Sequence, residues 1–200
     1  EFVLAEAIAN GARTIITVGA AQSNHCRQTA ALAAKIGMGC ILVLSGEAPQ
    51  QPDGNYLLDK LFGAKIIWTT RSEREIVLKQ TFDDAWANGL RPFLVPLGAS
   101  TPTGAVGYVA AFDEFLTQGV GVDWMVVASS SAGTQAGLVL GARRAGWNGK
   151  ILGISIDHPE VQLCARMADI ASEAADRLGE KHIFRPEDVL VNDAFLGEGY

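Results

Sequence analysis

Short apolar runs rich in β-branched residues recur along the chain. Between them lie stretches whose apolar positions return every three or four residues. The first pattern predicts buried strands and the second amphipathic helices. The strand candidates are TIITVG (14–19), CILVLSG (40–46), AKIIWTT (64–70), RPFLVPLG (91–98), DWMVVAS (123–129) and KILGISI (150–156). Helices are predicted over FVLAEAIANG closing on Gly11, over 24–36 closing on Gly37, over YLLDKLFG, and over 72–89. Three more follow: one from ASTPTGAVGY to about Gln118, one opening in SSAGTQAGLVLGARRAG, and a long one over 158–179. The strands lack polar alternation, so the pattern predicts an α/β fold of mostly parallel sheets covered by helices on both faces. The most loop-like stretch is Gly46–Asn55. Gly, Pro and Ser/Thr cluster over 98–104, where a two-lobed arrangement would have its boundary.

Composition narrows the function classes. With 48% apolar and 19% charged residues, the 200-residue chain has material for a sizeable core. A net charge of −6 and the lack of a Lys/Arg cluster argue against a nucleic-acid partner. Apolar runs such as Trp124–Ala128 are too short to cross a bilayer. The scattered Cys26, Cys40 and Cys164 fit reduced thiols in a cytoplasmic protein, and the dispersed histidines give no metal site. Cys26 has two readings, a nucleophile or a small buried residue on the inner face of its helix. The second is favoured. The chain begins at Glu1 without Met, which leaves a lost leader open.

Three stretches carry candidate chemistry. Gln22-Ser23-Asn24-His25 stands where a strand gives way to a helix. A helix N-terminus there offers free N–H groups to a carboxylate or phosphate. Ser23 and Asn24 are also good N-caps, so starting the helix is the competing reading. Ser129–Gly137, SSSAGTQAG, follows a strand with hydroxyls and glycines, a composition that suits an anion cup. Close helix–sheet packing is its competing reading. Neither a Walker A lysine nor GxGxxG is present, which disfavours a nucleotide site. Pro96–Tyr108, PLGASTPTGAVGY, places Gly98, Ser100, Thr101 and Thr103 at a strand's C-terminal end, where ligands of α/β sheets bind.

Taken together, GAAQSNHCRQTAALAAKIGM, NYLLDKLFGAKI, PLGASTPTGAVGY, VVASSSAGTQAGL and GEGY resemble the D-cysteine desulfhydrase / 1-aminocyclopropane-1-carboxylate (ACC) deaminase family. The resemblance covers essentially the whole chain. It implies a tryptophan-synthase-β-like fold (pyridoxal-phosphate fold type II) in two lobes, pyridoxal 5′-phosphate as cofactor, a small amino-acid substrate and a homodimer. It implies that Ser23 contacts the substrate carboxylate and shuttles a proton. Asn24 would hydrogen-bond the cofactor's phenolic oxygen. Ser23, Asn24 and His25 would form the carboxylate pocket. Ser131, Ala132, Gly133 and Thr134 would hold the cofactor phosphate, and Tyr200 would face the substrate.

Two departures from the family pattern stand out. The family lysine precedes a stretch like EFVLAEA, so its position falls upstream of Glu1, and the six lysines present stand outside that motif. Residues 1–200 thus read as the central part of a longer enzyme. Ser130 and Ala132 replace glycines, and at Ala132 any positive φ would be strained. The expected reaction is a lyase or deaminase step. His25 after Ser-Asn favours elimination from D-cysteine to pyruvate, ammonia and sulfide. ACC ring opening is the alternative, and a non-catalytic anion-binding relative is the alternative of another class.

Overall fold

A strand without polar alternation needs a layer on each face, and the N-terminal half shows how this is met. Its elements run α1 (Phe2–Ala9), β1 (Thr14–Ala20), α2 (Asn24–Lys35), β2 (Gly39–Ser45), α3 (Gly54–Leu61), β3 (Lys65–Thr69), α4 (Arg74–Ala87) and β4 (Pro92–Leu94). In the computed structural model, which describes residues 1–197, all four strands are parallel in the order β3-β2-β1-β4. Ile16 of β1 sits opposite Ile41 on one side and Leu94 on the other. Residues of β1 and β2 sort by parity. Ile15, Leu42 and Leu44 pack with Leu4 and Ala7 of α1 and Cys26, Ala30 and Ala33 of α2. Ile16, Val18, Ile41 and Val43 pack with Leu78 and Ala85 of α4. Each fully buried aliphatic side chain contributes about 2 kcal/mol of hydrophobic stabilisation before entropy is counted.

The second set runs α5 (Pro102–Thr117), β5 (Trp124–Ser129), α6 (Gly133–Arg144), β6 (Lys150–Ser155), α7 (Glu160–Arg177) and β7 (Leu190–Asn192). Its strands are parallel in the order β5-β6-β7. The chain divides into two compact units, Val3–Ala99 and the part from Ser100 onward. Within the second, Gly137 and Gly141 let α6 approach α5 closely. A Cβ at Gly137 would fall 2.2 Å from the carbonyl oxygen of Ala105, and one at Gly141 would fall 2.7 Å from Phe112. Gly137 therefore serves helix–helix packing. The α/β class, the parallel strands and the helix order match the expectation from the sequence.

Four details differ from that expectation, the first being that the strand read over 91–98 is only Pro92–Leu94, with a 3-10 turn at Leu97–Ala99. β7 was not foreseen, because an apolar run of 3 residues is too short for periodicity to register. Helix α3 begins at Gly54, so Asn55 lies in its first turn and not in the loop. In β5, Met125 and Val127 pack under the helices, while Trp124 and Val126 are 50% and 59% exposed. Among the described residues of this unit, only one face of β5 is covered.

Two fully buried side chains, one in each unit, differ in how their polar atoms are satisfied. Gln135 of α6 is fully buried. Its Nε2 donates to the Leu190 carbonyl at 2.7 Å, and its Oε1 accepts from Ser129 Oγ at 2.7 Å. One side chain thus ties β5 to β7 across β6. It lies over Gly153, where a Cβ would fall 1.9 Å from Oε1. Asp59 of α3 is also fully buried, and neither carboxylate oxygen has a hydrogen-bond partner among the described residues. Burial raises its pKa from 3.8 to about 6, with Arg27 pulling the other way.

Gln135→Leu is expected to destabilise the protein by about 2 kcal/mol in a denaturant titration, because it leaves the buried Ser129 hydroxyl and the part-buried Leu190 carbonyl without this partner. For Asp59 the folded state holds the proton more tightly than the unfolded state. Its contribution is therefore full below the ordinary pKa of 3.8 and lost as pH rises through about 6. Asp59→Asn cannot ionise and is expected to gain about 2 kcal/mol on wild type between about pH 4 and about pH 8. His25, lowered to about 4, drives wild-type stability the opposite way over this range. The difference between the two urea curves, read at each pH, isolates Asp59.

Candidate functional site

The turn after β1 gathers the first set of candidates. Ser23 is the N-cap of α2, and its Oγ accepts from the Cys26 amide at 3.2 Å. Capping uses a lone pair of the hydroxyl and leaves its proton uncommitted to the cap, so the capping and functional readings of Ser23 are compatible. The Cys26 side chain is buried beneath this turn, and burial pushes its thiol up to about 12. It is a packed thiol, not a nucleophile at neutral pH.

His25 is held by a residue that the sequence reading passed over. Thr17, fully buried in β1, gives its single hydroxyl proton to the Val95 carbonyl at 2.7 Å. The 2.7 Å contact between Thr17 Oγ1 and His25 Nε2 then requires that Nε2 carry a proton. Burial lowers the His25 pKa from 6.5 to about 4. The ring is therefore neutral at pH 7, with Nδ1 its unprotonated nitrogen. A hydroxyl inside an otherwise apolar strand was the available signal for Thr17.

Asn24 is met by Asn55, whose Nδ2 donates to Asn24 Oδ1 at 2.9 Å and to the Gln22 carbonyl at 2.8 Å. Gln22 answers by accepting the Asn55 amide on Oε1 at 2.8 Å and donating from Nε2 to Asp53 at 2.9 Å. Gln22 therefore serves to hold the start of α3 against the turn. Nothing in the local sequence pairs these two stretches.

The second set lies in the other unit, on the Ser129–Gly133 loop between β5 and α6. Ala132, the N-cap position, adopts φ 77°, ψ −28°, the left-handed conformation that the sequence made costly. Ser100 binds this loop from below. Its Oγ donates to Ser131 Oγ at 2.6 Å and accepts from the Gly133 amide at 3.3 Å. Ser130 donates to Asp157 at 2.6 Å, a partner with no sequence signal. The Thr134 and Gln135 amides open the helix and have no acceptor among the described residues. In the third stretch, Thr101 caps α5 by accepting the Gly104 amide at 3.0 Å. Thr103 Oγ1 accepts from Arg177 at 2.8 Å. Tyr200 lies outside the described residues. No group of three metal-ligating side chains occurs among the described residues, and no described helix is long and apolar enough to cross a membrane.

Known proteins supply the context for this geometry. The sequence profile of the family described as "Pyridoxal-phosphate dependent enzyme" matches residues 1–200. The chain belongs to the family of pyridoxal-phosphate dependent enzymes. A curated ACC deaminase of Methylobacterium nodulans is 34% identical over 213 residues, covering 98% of this chain and 62% of that protein. A Pyrococcus horikoshii relative, 36% identical over 191 residues, covers 94% of this chain and 58% of its own, and bears the same name in provisional form. The crystal structure of an ACC deaminase homologue superposes with a TM-score of 0.87 at 34% identity, over 100% of this chain and 62% of that one. The O-acetylserine dependent cystathionine β-synthase of Helicobacter pylori shares the fold at a TM-score of 0.60 and 18% identity, over 76% of this chain and 50% of its own. The neighbours are tryptophan-synthase-β-like, fold type II. The chain spans 56% to 62% of the length of the curated relatives it matches.

The cofactor of this pyridoxal-phosphate dependent family carries a phosphate, and the second unit's donor set fits one. Helix amides without acceptors, a positive helix end and the hydroxyls of Ser131 and Thr134 suit a phosphate without any lysine or arginine, while the Ser130 proton is already given to Asp157. The left-handed Ala132 costs about 1–2 kcal/mol. Ala132→Gly removes that strain but loses a buried methyl and adds backbone entropy, about 1.5 kcal/mol together. Its stability is expected to stay within about 1 kcal/mol of wild type, whereas Ala132→Val is expected to lose more than about 2 kcal/mol in thermal denaturation.

Proposed function

We propose that the protein of which this chain is part opens the ring of ACC, giving 2-oxobutanoate and ammonia with uptake of one water. The observation that carries this reading is the 34–36% identity to relatives named for ACC deaminase across more than nine-tenths of the chain. The order of substrates expected from His25 is thereby reversed, and D-cysteine becomes the second reading. It keeps one specific support, the His25 side chain, whose bare Nδ1 accepts a proton donor such as a thiol.

Bound pyridoxal phosphate supplies an electron sink for the pair released at the substrate's α-carbon. Residues of this chain bind and orient the cofactor and the substrate. The amides of Thr134 and Gln135, with Ser131, Ala132 and Gly133, hold the phosphate. Asn24 donates from Nδ2 to the cofactor's phenolic oxygen, since its Oδ1 is already occupied by Asn55. The first-turn amides of α2 hold the substrate carboxylate beside Ser23 and Asn24. His25 enters that pocket as a neutral ring, so carboxylate binding rests on N–H and O–H donors and not on an imidazolium. Ser23 moves the proton at the reacting carbon through its hydroxyl, whose proton the cap does not use. A homodimer, by family resemblance, and a cytoplasmic location, from the scattered unpaired cysteines, complete the reading.

The test is a product assay on the full-length protein with each substrate. Faster release of 2-oxobutanoate from ACC is expected, and faster release of pyruvate from D-cysteine would reverse the assignment. Ser23→Ala is expected to lower kcat about 100-fold or more through loss of proton transfer. It is expected to lower stability by only about 1 kcal/mol through loss of the cap.

A further inference from the structure

The orientation of a primary amide is decided by its partners, because its two ends are nearly the same size and its last torsion is broad. Asn24 has such an amide, and which end faces a ligand determines whether it donates or accepts. Asn55 Nδ2 has two hydrogens, and both are placed: one on the Gln22 carbonyl at 2.8 Å, one on Asn24 Oδ1 at 2.9 Å. The Asn55 side chain cannot turn round without setting its own oxygen against the Gln22 carbonyl. Its backbone is pinned too, since its amide donates to Gln22 Oε1 at 2.8 Å while Gln22 Nε2 donates to Asp53 at 2.9 Å. Asn24 therefore presents Nδ2, a donor, away from α3.

We propose that Asn55 is a positioning residue that sets the polarity of Asn24, keeping its donor end toward the phenolic oxygen of pyridoxal phosphate. This rests on the reading of Asn24 given under Proposed function. Reversed, the Asn24 oxygen would face an oxygen that ionises, and the anionic form would lose its donor. Asn55 itself needs no contact with the cofactor. Its effect passes wholly through Asn24, which separates this role from a general contribution to the start of α3.

The test uses the full-length protein loaded with pyridoxal phosphate, and its readout is the pH titration of the bound cofactor's visible absorption band. Asn55→Leu removes the donor without adding charge. Asn55→Asp removes it and offers an acceptor that pulls Asn24 Nδ2 toward α3. Both are expected to raise the apparent pKa of the band by about half a unit or more, as is Asn24→Ala. The double variant Asn24→Ala/Asn55→Leu is expected to match Asn24→Ala alone, since nothing remains for Asn55 to orient. A merely structural Asn55 would lower the melting temperature and leave the titration in place. If Asn24→Ala shifts the band and both folded Asn55 variants titrate as wild type, the positioning role is overturned while the reading of Asn24 stands. If all of them bind the cofactor and titrate as wild type, Asn24 does not meet the phenolic oxygen, and the reading falls with the proposal. Should one Asn55 variant fail to fold, the other decides.

Discussion

An α-helix cannot satisfy its own first amides, and everything chemical in this chain is organised around that fact. In each parallel unit a strand ends, the chain turns, and a helix begins with N–H groups in need of acceptors. At α2 the Ser23 hydroxyl takes one of them, the Cys26 amide. At α6 the Ser100 hydroxyl takes another, the Gly133 amide. What is left over at each start is a set of oriented donors at the positive end of a helix dipole. Where such a turn lacks enough side-chain oxygens, the leftover amides form a candidate anion site, and the residues of SSSAGT around one of them are all small.

The candidate donors at both turns are neutral groups. The His25 ring is uncharged, and no lysine or arginine stands within Gln22–His25 or Ser129–Gly137, although Arg27 follows in α2 and the Asp157 carboxylate accepts from Ser130. Anion binding by amides, hydroxyls and dipoles differs from binding by exposed cations. Fixed dipoles need little reorganisation, and partly buried ones are little screened by salt. Neutrality also makes hydrogen-bond polarity decisive. A lysine attracts an anion in any rotamer, whereas an asparagine does so with one end only. This is why the partners of Asn24 and His25 matter as much as the residues themselves, and why Thr17 and Asn55 belong to the description of the site.

Polar groups in the interior serve as fixed points at some energetic cost. Gln135 has both ends of its amide satisfied and ties three strands together, with glycine at 153 making room for it. Asp59 is the opposite case, a buried carboxyl without a partner that burial drives toward its neutral form. Ala132 stores strain in the backbone at the very loop whose amides are left open. Strain of this kind persists where surrounding contacts hold it, here through Ser100 and the packing of α6 on α5.

Periodicity alone made most of the fold legible. TIITVG and CILVLSG have no polar alternation, so they had to be parallel strands covered on both sides, and Gly11 and Gly37 marked helix ends. The Ser23-Asn24-His25 turn and the SSSAGT loop were legible as motifs, because capping and anion binding use residues adjacent in the chain. β7 escaped because its apolar run is short. The pairing of Asn55 with Asn24 spans 31 residues and that of Thr17 with Val95 spans 78. Such bonds leave no periodic trace, since either partner alone reads as a loop residue or a stray hydroxyl. The sequence by itself therefore determined the fold class, the order of all elements but the short β7, and the candidate motifs. Only the tertiary structure decided which end of each amide and ring those residues present, because that depends on donors and acceptors brought together from distant parts of the chain.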